Sequence, residues 1–305
     1  MSKRRRSAAL PCEAITLTTY AQLELYLAKF AAGELGLVLL LGRHGTGKSE
    51  SVKRALHVVS FARRRNTAAA QPVLYVEGHM QPYGLYKHIW QHRNRPVVLD
   101  DLDKLYADPN CVRILKPLCN TERTKRITWL TNLTLNDRVV PTSFTTTSNV
   151  ILIANEWRTA NPNVRALEDR AIILHFDPPN AEVHRKVGEW FHDAEVYQLI
   201  ADTMPFIAAL SMRHYCKGAQ LRRAGLSEWR HNLLQMMFPD PRMACMLALQ
   251  HDGELRSEAE RVLRFVASTG SSRATYFRMK ARFAAPCVVR TPAYLADDGH
   301  AHTSS

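Results

Sequence analysis

The feature that most constrains this chain is a glycine-rich octapeptide that directly follows an apolar run. The run is Leu37-Val38-Leu39-Leu40-Leu41, and the octapeptide is Gly42-Arg43-His44-Gly45-Thr46-Gly47-Lys48-Ser49. A buried strand that enters G-x-x-x-x-G-K-S and continues into a helical segment is typical of a phosphate-binding P-loop. Backbone N–H groups would turn toward the phosphates of ATP, Lys48 would reach the β and γ oxygens, and Ser49 would ligate Mg²⁺. The alternative is a glycine-rich turn without a ligand.

Composition limits the class of protein and of partner. The 305 residues are 46% hydrophobic and 23% charged, which is ordinary for a soluble globular protein. No apolar run approaches the ~20 residues of a membrane span, so we expect no membrane partner. The 41 Lys+Arg against 28 Asp+Glu give a net charge of +13, which favours a polyanion such as DNA. A merely basic cytosolic protein remains the alternative.

Six dispersed cysteines without a C-x-x-C pair indicate neither a zinc ribbon nor a disulfide framework. We therefore expect a reducing, cytoplasmic location.

Further apolar runs predict more strands of the same kind. They cover residues 73–76, 96–101, 149–155 and 171–176, with helical patterns between them. Continuous apolar runs separated by helices are typical of a parallel sheet that is buried on both faces. From Ala181 to about Leu249 the pattern is helical. The sequence predicts an α/β class with a P-loop NTPase parallel sheet flanked by helices, followed by an all-α region.

A P-loop needs a carboxylate at the end of a neighbouring strand to hold the metal. The run Val97-Val98-Leu99-Asp100 supplies Asp100 for this purpose. Asp101 follows directly and is the candidate for polarising the attacking water. Its alternative role is that of an acid away from the reacting centre.

From Thr18 to Leu249 the sequence resembles the AAA+ ATPases. In that family a polar residue ends the fourth strand near the γ-phosphate, which here implies Asn155 in Ile151-Leu152-Ile153-Ala154-Asn155. An arginine just before the fifth strand reaches the nucleotide of a neighbouring subunit, which implies Arg170 and a homo-oligomer. A lid arginine contacts the nucleotide of its own subunit, which implies Arg213, unless Arg213 is simply a solvated side chain.

One departure from the family bears on turnover. The family usually has Asp-Glu at the end of the third strand, whereas this chain has Asp100-Asp101. A shorter second acid implies hydrolysis that is slow or DNA-stimulated, or a nucleotide switch with little turnover. Guanine-specificity N-K-x-D and transporter L-S-G-G-Q segments are not found in the sequence, while a P-loop kinase of a small metabolite remains a third possibility.

A second element has the pattern of a DNA-reading module. Apolar positions predict a helix from Leu255 to Val266, Thr269-Gly270-Ser271 breaks the period, and a second helix follows from Arg273 to Phe283. This arrangement resembles the helix-turn-helix of transposases and bacterial regulators. The residues expected to face DNA are Ser272, Arg273, Thr275 and Arg278, with Tyr276 and Met279 packed inward. The alternative is a basic helical hairpin that finishes the lid.

The predicted organisation therefore has five parts. They are a basic arm (1–17), an AAA+ nucleotide-binding domain (18–178), a helical lid (179–250), a helix-turn-helix (251–284) and a loose tail (285–305). The predicted function is a DNA-associated ATPase that hydrolyses ATP at a subunit interface to remodel a protein–DNA complex, with a helicase, transposase or replication protein as a possible partner. The alternative is an ATP-binding DNA-binding regulator with little or no turnover.

Overall fold

The computed structural model describes residues 13–56, 73–78, 80–101, 108–129, 140–155 and 162–284. The strands are β1 (Ile15–Leu17), β2 (Leu37–Gly42), β3 (Leu74–Glu77), β4 (Val97–Asp100), β5 (Lys125–Thr128), β6 (Ser143–Thr146), β7 (Val150–Ala154) and β8 (Ile172–Phe176). The helices are α1 (Tyr20–Ala32), α2 (48–56), α3 (Pro82–Gln91), α4 (Pro109–Leu118), α5 (Pro162–Glu168), α6 (Asn180–Gly188), α7 (Ala194–Thr203), α8 (Met212–Arg223), α9 (Trp229–Met237), α10 (Pro241–Gln250), α11 (Glu258–Thr269) and α12 (Arg273–Ala284). Most of the predicted basic arm and all of the predicted tail lie outside these residues.

Six of the strands form one sheet in the order β1-β8-β2-β7-β4-β3. Every pairing in it is parallel. Parallel neighbours require crossover connections, and the helices between these strands provide them. After β8 the described chain is helical. The predicted α/β class, with a parallel sheet followed by an all-α region, is confirmed.

Both faces of the sheet are buried, which explains the unbroken apolar run of β2. Leu39 packs in a cluster with residues of α3 and α4, whereas Leu40 packs in a second cluster with residues of α1 and α2. Because successive strand residues point to opposite faces, each face needs its own apolar partners. Each fully buried leucine contributes about 1.5–3 kcal/mol relative to an exposed one.

The carboxyl ends of the central strands meet at one edge of the sheet. β2 ends at Gly42, β4 ends at Asp100, and β7 ends one residue before Asn155. The register pairs Asp100 with Ile153, so the ends of β4 and β7 are nearly level. Residues far apart in the sequence are thereby brought to the same edge.

Helix α1 is defined by signals at both of its ends. The hydroxyl of Thr19 accepts a hydrogen bond from the Gln22 backbone, and the Gln22 side chain accepts one from the Thr19 backbone, which is a capping box. The helix ends at Gly33, whose φ of 83° is left-handed. The short strand β1, which precedes α1 and extends the sheet beside β8, is not predicted by the sequence pattern.

An antiparallel hairpin of β5 and β6 lies between α4 and β7 in the chain, and it too is not predicted. Its first residue, Lys125, is buried, and the ammonium donates to the Ser148 carbonyl at 2.6 Å. Burial lowers the pKa of Lys125. Of the residues that join the two strands, 130–139 fall outside the described part of the chain.

The chain divides into two compact units. The first contains residues 13–190 and 210–212 of the described chain, and the second contains residues 191–209 and 213–284. The second unit is all helical. Within it, Arg222 and Arg230 both pair with Glu195, and Phe191 packs edge-on against Tyr215 at 5.5 Å between ring centroids.

Helices α11 and α12 form the last pair of the second unit and are joined by a turn at Gly270, where φ is 65°. The prediction of two helices at this point is confirmed, but α11 begins at Glu258 rather than at Leu255. A capping box of Ser257 and Glu260 sets that start. The predicted apolar face is also partly wrong, because Leu263 is 70% exposed.

None of the described helices is long and apolar enough to cross a bilayer.

Candidate nucleotide-binding site

The glycine-rich loop lies between the end of β2 and the start of α2, and residues 210–212 pack against it. Gly45 has φ +77°, and a Cβ there would stand 1.9 Å from the Ser211 hydroxyl oxygen. The Met212 amide donates to the Gly45 carbonyl at 2.8 Å. Gly47 has φ +81° and would meet the Met212 sulfur at 2.9 Å if it carried a Cβ. Neither position can therefore hold a residue larger than glycine without strain. Glycines of this kind allow the backbone of a loop to approach a ligand closely.

Lys48 is 5% exposed, and its ammonium group lies inside the loop. It donates to the Gly42 carbonyl at 2.7 Å, to the Arg43 carbonyl at 2.8 Å and to Asn155 Oδ1 at 3.1 Å. A buried ammonium has only donors, so it needs oxygens on every side. The structure thus brings the predicted phosphate-binding lysine and the predicted residue at the end of β7 into direct contact.

Asn155 also joins Lys48 to the acid that follows β4. Its Nδ2 lies 3.5 Å from Asp101 Oδ1. An amide can bridge these two groups, because its oxygen accepts from the Lys48 ammonium while its NH₂ donates to the carboxylate. Asp101 has φ 54°, a left-handed conformation that Asp tolerates better than most residues, and its amide donates to the Ile153 carbonyl at 3.1 Å. The three predicted residues therefore lie next to one another in space, with Asn155 between Lys48 and Asp101.

Asp100 is buried at the end of β4 and accepts a hydrogen bond from the Tyr75 hydroxyl. Burial raises the pKa of Tyr75, the Asp100 hydrogen bond raises it further, and the neighbouring Ser49 hydroxyl lowers it. Ser49 and Asp100 thus share one neighbour. A hydroxyl and a carboxylate oxygen are ligands that Mg²⁺ prefers, so these residues fit the predicted metal.

The remaining loop residues are fixed from outside the loop. Arg43 donates to Asp177 Oδ1 at 2.9 Å and to the Pro178 carbonyl at 2.6 Å, both just after β8. Thr46 is fully buried, its hydroxyl donates to the Arg43 carbonyl, and its own carbonyl accepts from the Tyr20 hydroxyl at 2.7 Å. Burial raises the pKa of Tyr20, with a smaller contribution from the nearby Glu182. The predicted binding residue His44 is exposed.

A cavity of about 300 Å³ adjoins the loop within the first unit. It is lined by Tyr20, Gly47, Glu50, Ser51, Arg54, Lys186, Trp190 and Met212. Aromatic and methionine surfaces with a few polar groups around them, at a volume near 300 Å³, are typical of a small-ligand pocket.

Arg170 is exposed and lies two residues before β8, at the amino edge of the sheet. Burial raises the pKa of Cys119 to about 12, and the charges of Lys125 and then Arg170 oppose that rise. The loop lies at the opposite, carboxyl edge. Five strand residues at about 3.3 Å each separate the edges by about 16 Å. The structure therefore does not bring Arg170 to the loop of its own chain.

Arg213 is the second residue of α8 and is exposed. It belongs to the second unit, and its role in nucleotide binding stays a prediction.

The residues predicted to read DNA lie at the start of α12. Ser272 accepts from the Thr275 amide at 3.3 Å and so caps the helix. Arg273 and Arg278 are exposed, whereas Tyr276 is fully buried and packs edge-on against Phe265 at 5.2 Å. Met279 is buried as well, so the predicted inward packing of Tyr276 and Met279 is confirmed. DNA contact stays a prediction.

No protein-family model matches the chain. Among curated proteins, an uncharacterized 36.7 kDa protein from the nrdC-mobD intergenic region of enterobacteria phage T4 is 22% identical over 153 residues. The match covers 47% of this chain and 45% of that protein, so it spans less than half the length of the relative.

Three solved structures are similar in fold. Domain III of the Thermotoga maritima replication initiation protein DnaA is 14% identical, with a TM-score of 0.47 over 72% of this chain and 92% of that one. The Aeropyrum pernix Orc1 protein, solved in complex with DNA, is 15% identical with a TM-score of 0.44 over 89% and 84%. NtrX from Brucella abortus, in complex with ATP, is 12% identical with a TM-score of 0.42 over 90% and 70%.

Two tyrosines at the site are not found by sequence reasoning. Tyr20 holds the Thr46 carbonyl, and Tyr75 holds Asp100. Each lies in an otherwise ordinary amphipathic or apolar pattern, where a tyrosine predicts only packing. The signal that could have found Tyr75 is its place in the strand next to β4, which emerges once the sheet order is known.

Proposed function

We propose that this protein is an AAA+-type ATPase that binds ATP·Mg²⁺ at its glycine-rich loop, hydrolyses it between subunits and works on DNA. The observation that carries the proposal is the buried Lys48 ammonium. It is held by two loop carbonyls and by Asn155, beside Asp101. A buried ammonium is costly unless it has hydrogen-bond partners. Because the partners of Lys48 are neutral oxygens, it can exchange them for the charged oxygens of a phosphate, which bind an ammonium more strongly.

The residues at the carboxyl edge of the sheet would have different roles in ATP hydrolysis. Lys48 would donate to the β and γ oxygens, Asn155 and Asp101 would orient a water, and the Asp101 carboxylate would accept its proton. Ser49 and Asp100 would hold Mg²⁺, which when bound would neutralise charge on the phosphate oxygens. Losing one such stabilising donor typically costs about 10²–10³ in kcat.

The cavity beside the loop supports a nucleotide rather than a bare phosphate. It shares Gly47 with the loop and is lined by Tyr20, Trp190 and Met212, which offer flat or polarisable surfaces to a base. Lys186 lies 5.5 Å from the centroid of the Tyr20 ring and pairs with Glu24 at 2.8 Å. A cation–π contact of this kind fixes the ring that forms one wall.

The position of Arg170 supports a site shared between subunits. Because it lies at the far edge of the sheet from its own loop, it can complete the charge on a nucleotide only in another copy of the chain. A P-loop kinase of a small metabolite does not need an arginine from a second subunit. The exposed placement of Arg170 agrees with the oligomeric ATPase.

The proposed DNA contact rests on α11 and α12. The turn at Gly270, the cap at Ser272 and the exposed Arg273 and Arg278 support a recognition helix that follows a tight turn. The buried Tyr276 hydroxyl donates to Glu258 at 2.8 Å and so ties the two helices together. The excess of basic residues in the whole chain agrees with a phosphate-rich partner.

The second candidate is an ATP-binding regulator of DNA with little or no turnover. The observation that favours it is Asp101, a short side chain on a left-handed backbone whose carboxylate stands 3.5 Å from Asn155. An acid held there reaches less far than a glutamate.

A titration of ATP hydrolysis with duplex and single-stranded DNA separates the two candidates. Lys48→Ala serves as the blank for contaminating activity. Turnover that rises with DNA and vanishes in Lys48→Ala supports the ATPase. ATP binding without turnover at any DNA concentration supports the regulator, and phosphate transfer to a small acceptor without DNA dependence would contradict both.

A further inference from the structure

Tyr75 holds one of the two residues that would bind the metal and lies beside the other. Its hydroxyl donates to Asp100 Oδ2, and the Ser49 side chain is a near neighbour of the same phenol. A phenol carries one hydrogen and two acceptor lone pairs. Because that hydrogen goes to Asp100, the phenol oxygen can only accept from any other donor beside it.

This direction determines what Asp100 can still offer to a metal. Asp100 has one carboxylate oxygen held by Tyr75, which fixes the plane of the carboxylate and leaves the other oxygen open. Groups that hydrogen-bond to metal ligands in this way fix their orientation and tune their affinity for the metal.

The Tyr75 ring is held independently of its hydroxyl. The Lys53 ammonium of α2 lies 4.7 Å from the ring centroid, and Lys53 also pairs with Glu77 of β3 at 3.6 Å. The ring and the hydroxyl of Tyr75 therefore make separate contacts. Removing the hydroxyl alone leaves the ring contacts in place.

We infer that Tyr75 is a positioning residue that orients Asp100, the neighbour of Ser49 at this site, toward a divalent cation. The inference rests on the proposed function, since the cation would be the one that accompanies ATP. Without the phenol hydroxyl, the buried Asp100 carboxylate loses the hydrogen bond that fixes its orientation. The consequence is a weaker site for the metal and an unchanged loop for the nucleotide.

The test measures binding of a fluorescent ATP analogue to the full chain as a function of Mg²⁺ concentration. Tyr75→Phe should need about 10- to 100-fold more Mg²⁺ for half-saturation, because loss of such supporting groups costs that much metal affinity. Binding of the analogue in excess EDTA should be unchanged. Electron paramagnetic resonance of Mn²⁺, used in place of Mg²⁺, measures the metal affinity without any turnover and should show a weakening in Tyr75→Phe as well.

Tyr83→Phe is the matched control, because it removes a phenol hydroxyl from α3 in the same unit, and its Mg²⁺ dependence should equal that of the wild type. Circular dichroism should show that all three proteins are folded alike. An unchanged Mg²⁺ requirement in Tyr75→Phe would overturn the inference and leave the proposed function standing. Wild-type protein that binds no analogue with or without Mg²⁺ would overturn the proposed function and this inference with it.

Discussion

Replacing Gly45 by alanine should destabilise the first unit through two separable effects. The first is backbone strain, because Gly45 has φ +77° and an L-residue in that region costs about 1–2 kcal/mol. The second is a clash, because the new Cβ would stand 1.9 Å from the Ser211 oxygen and 2.8 Å from its Cβ. Forced shifts in a packed site cost about 1–3 kcal/mol. Since alanine also restricts the unfolded chain by about 0.4–1 kcal/mol, the net loss should be about 2–4 kcal/mol.

Two other glycines of the same unit separate these effects. Gly33 has φ +83° with nothing within 4 Å, so Gly33→Ala should show the strain alone, a net loss of about 1 kcal/mol. Gly36 has neither a positive φ nor a close neighbour, so Gly36→Ala should stay within about 0.5 kcal/mol of the wild type.

Urea unfolding gives the three free energies, and a double-mutant cycle isolates the clash. Adding Ser211→Gly to Gly45→Ala should recover about 1–3 kcal/mol relative to Ser211→Gly alone, because it removes both atoms that the new Cβ meets. Equal losses for Gly45→Ala and Gly33→Ala, with no coupling to Ser211, would refute the packing of residues 210–212 on the loop.

Three further predictions concern assembly, DNA and pH. Arg170→Ala and Lys48→Ala should each lack ATPase activity alone and regain it when mixed, because one supplies the loop and the other the arginine; no recovery at any ratio would argue against a shared site. DNA affinity should fall steeply with salt, and Arg278→Ala should lower the slope of log K against log [salt] by about 1; an unchanged slope would remove Arg278 from the phosphate contacts. Burial lowers the pKa of His175 and of His251 from the ordinary 6.5, so below that pH the unfolded state binds more protons. The free energy of unfolding should therefore fall between pH 7 and pH 5 in urea titrations, and a flat or rising profile would contradict this.

The parts of the site that could be predicted are those that lie next to a strong local pattern. Lys48 follows a complete P-loop motif, and Asp100 and Asn155 each end a run of apolar residues. Parallel strands place such ends at one edge, so proximity follows from the pattern even before the strand order is known.

The parts of the fold that could not be predicted have patterns too short or too polar to stand out. Strand β1 has three residues, and β5 reads Lys-Arg-Ile-Thr, in which the buried residue at position 125 is a lysine. Its burial depends on a carbonyl acceptor at Ser148, which is fixed only by tertiary structure. A lysine at that point in a sequence predicts a solvated surface.

The start of α11 shows a conflict between periodicity and capping. Leu255 fits the apolar period of the helix, yet the helix begins after Ser257, whose side chain caps it together with Glu260. Leu255 is buried outside the helix, and Leu263, which fits the same period, is exposed. Capping signals therefore locate this boundary better than the spacing of apolar residues does.

Isothermal titration calorimetry with ATP and Mg²⁺ tests the central claim most directly, which is that the loop from Gly42 to Ser49 binds a triphosphate. The wild type should bind one ATP per chain, and so should Lys29→Ala, which removes an exposed lysine of α1 paired with Glu34. Lys48→Ala should show no binding heat under the same conditions. Absence of heat in the wild type at millimolar ATP, or binding that survives Lys48→Ala unchanged, would contradict the account.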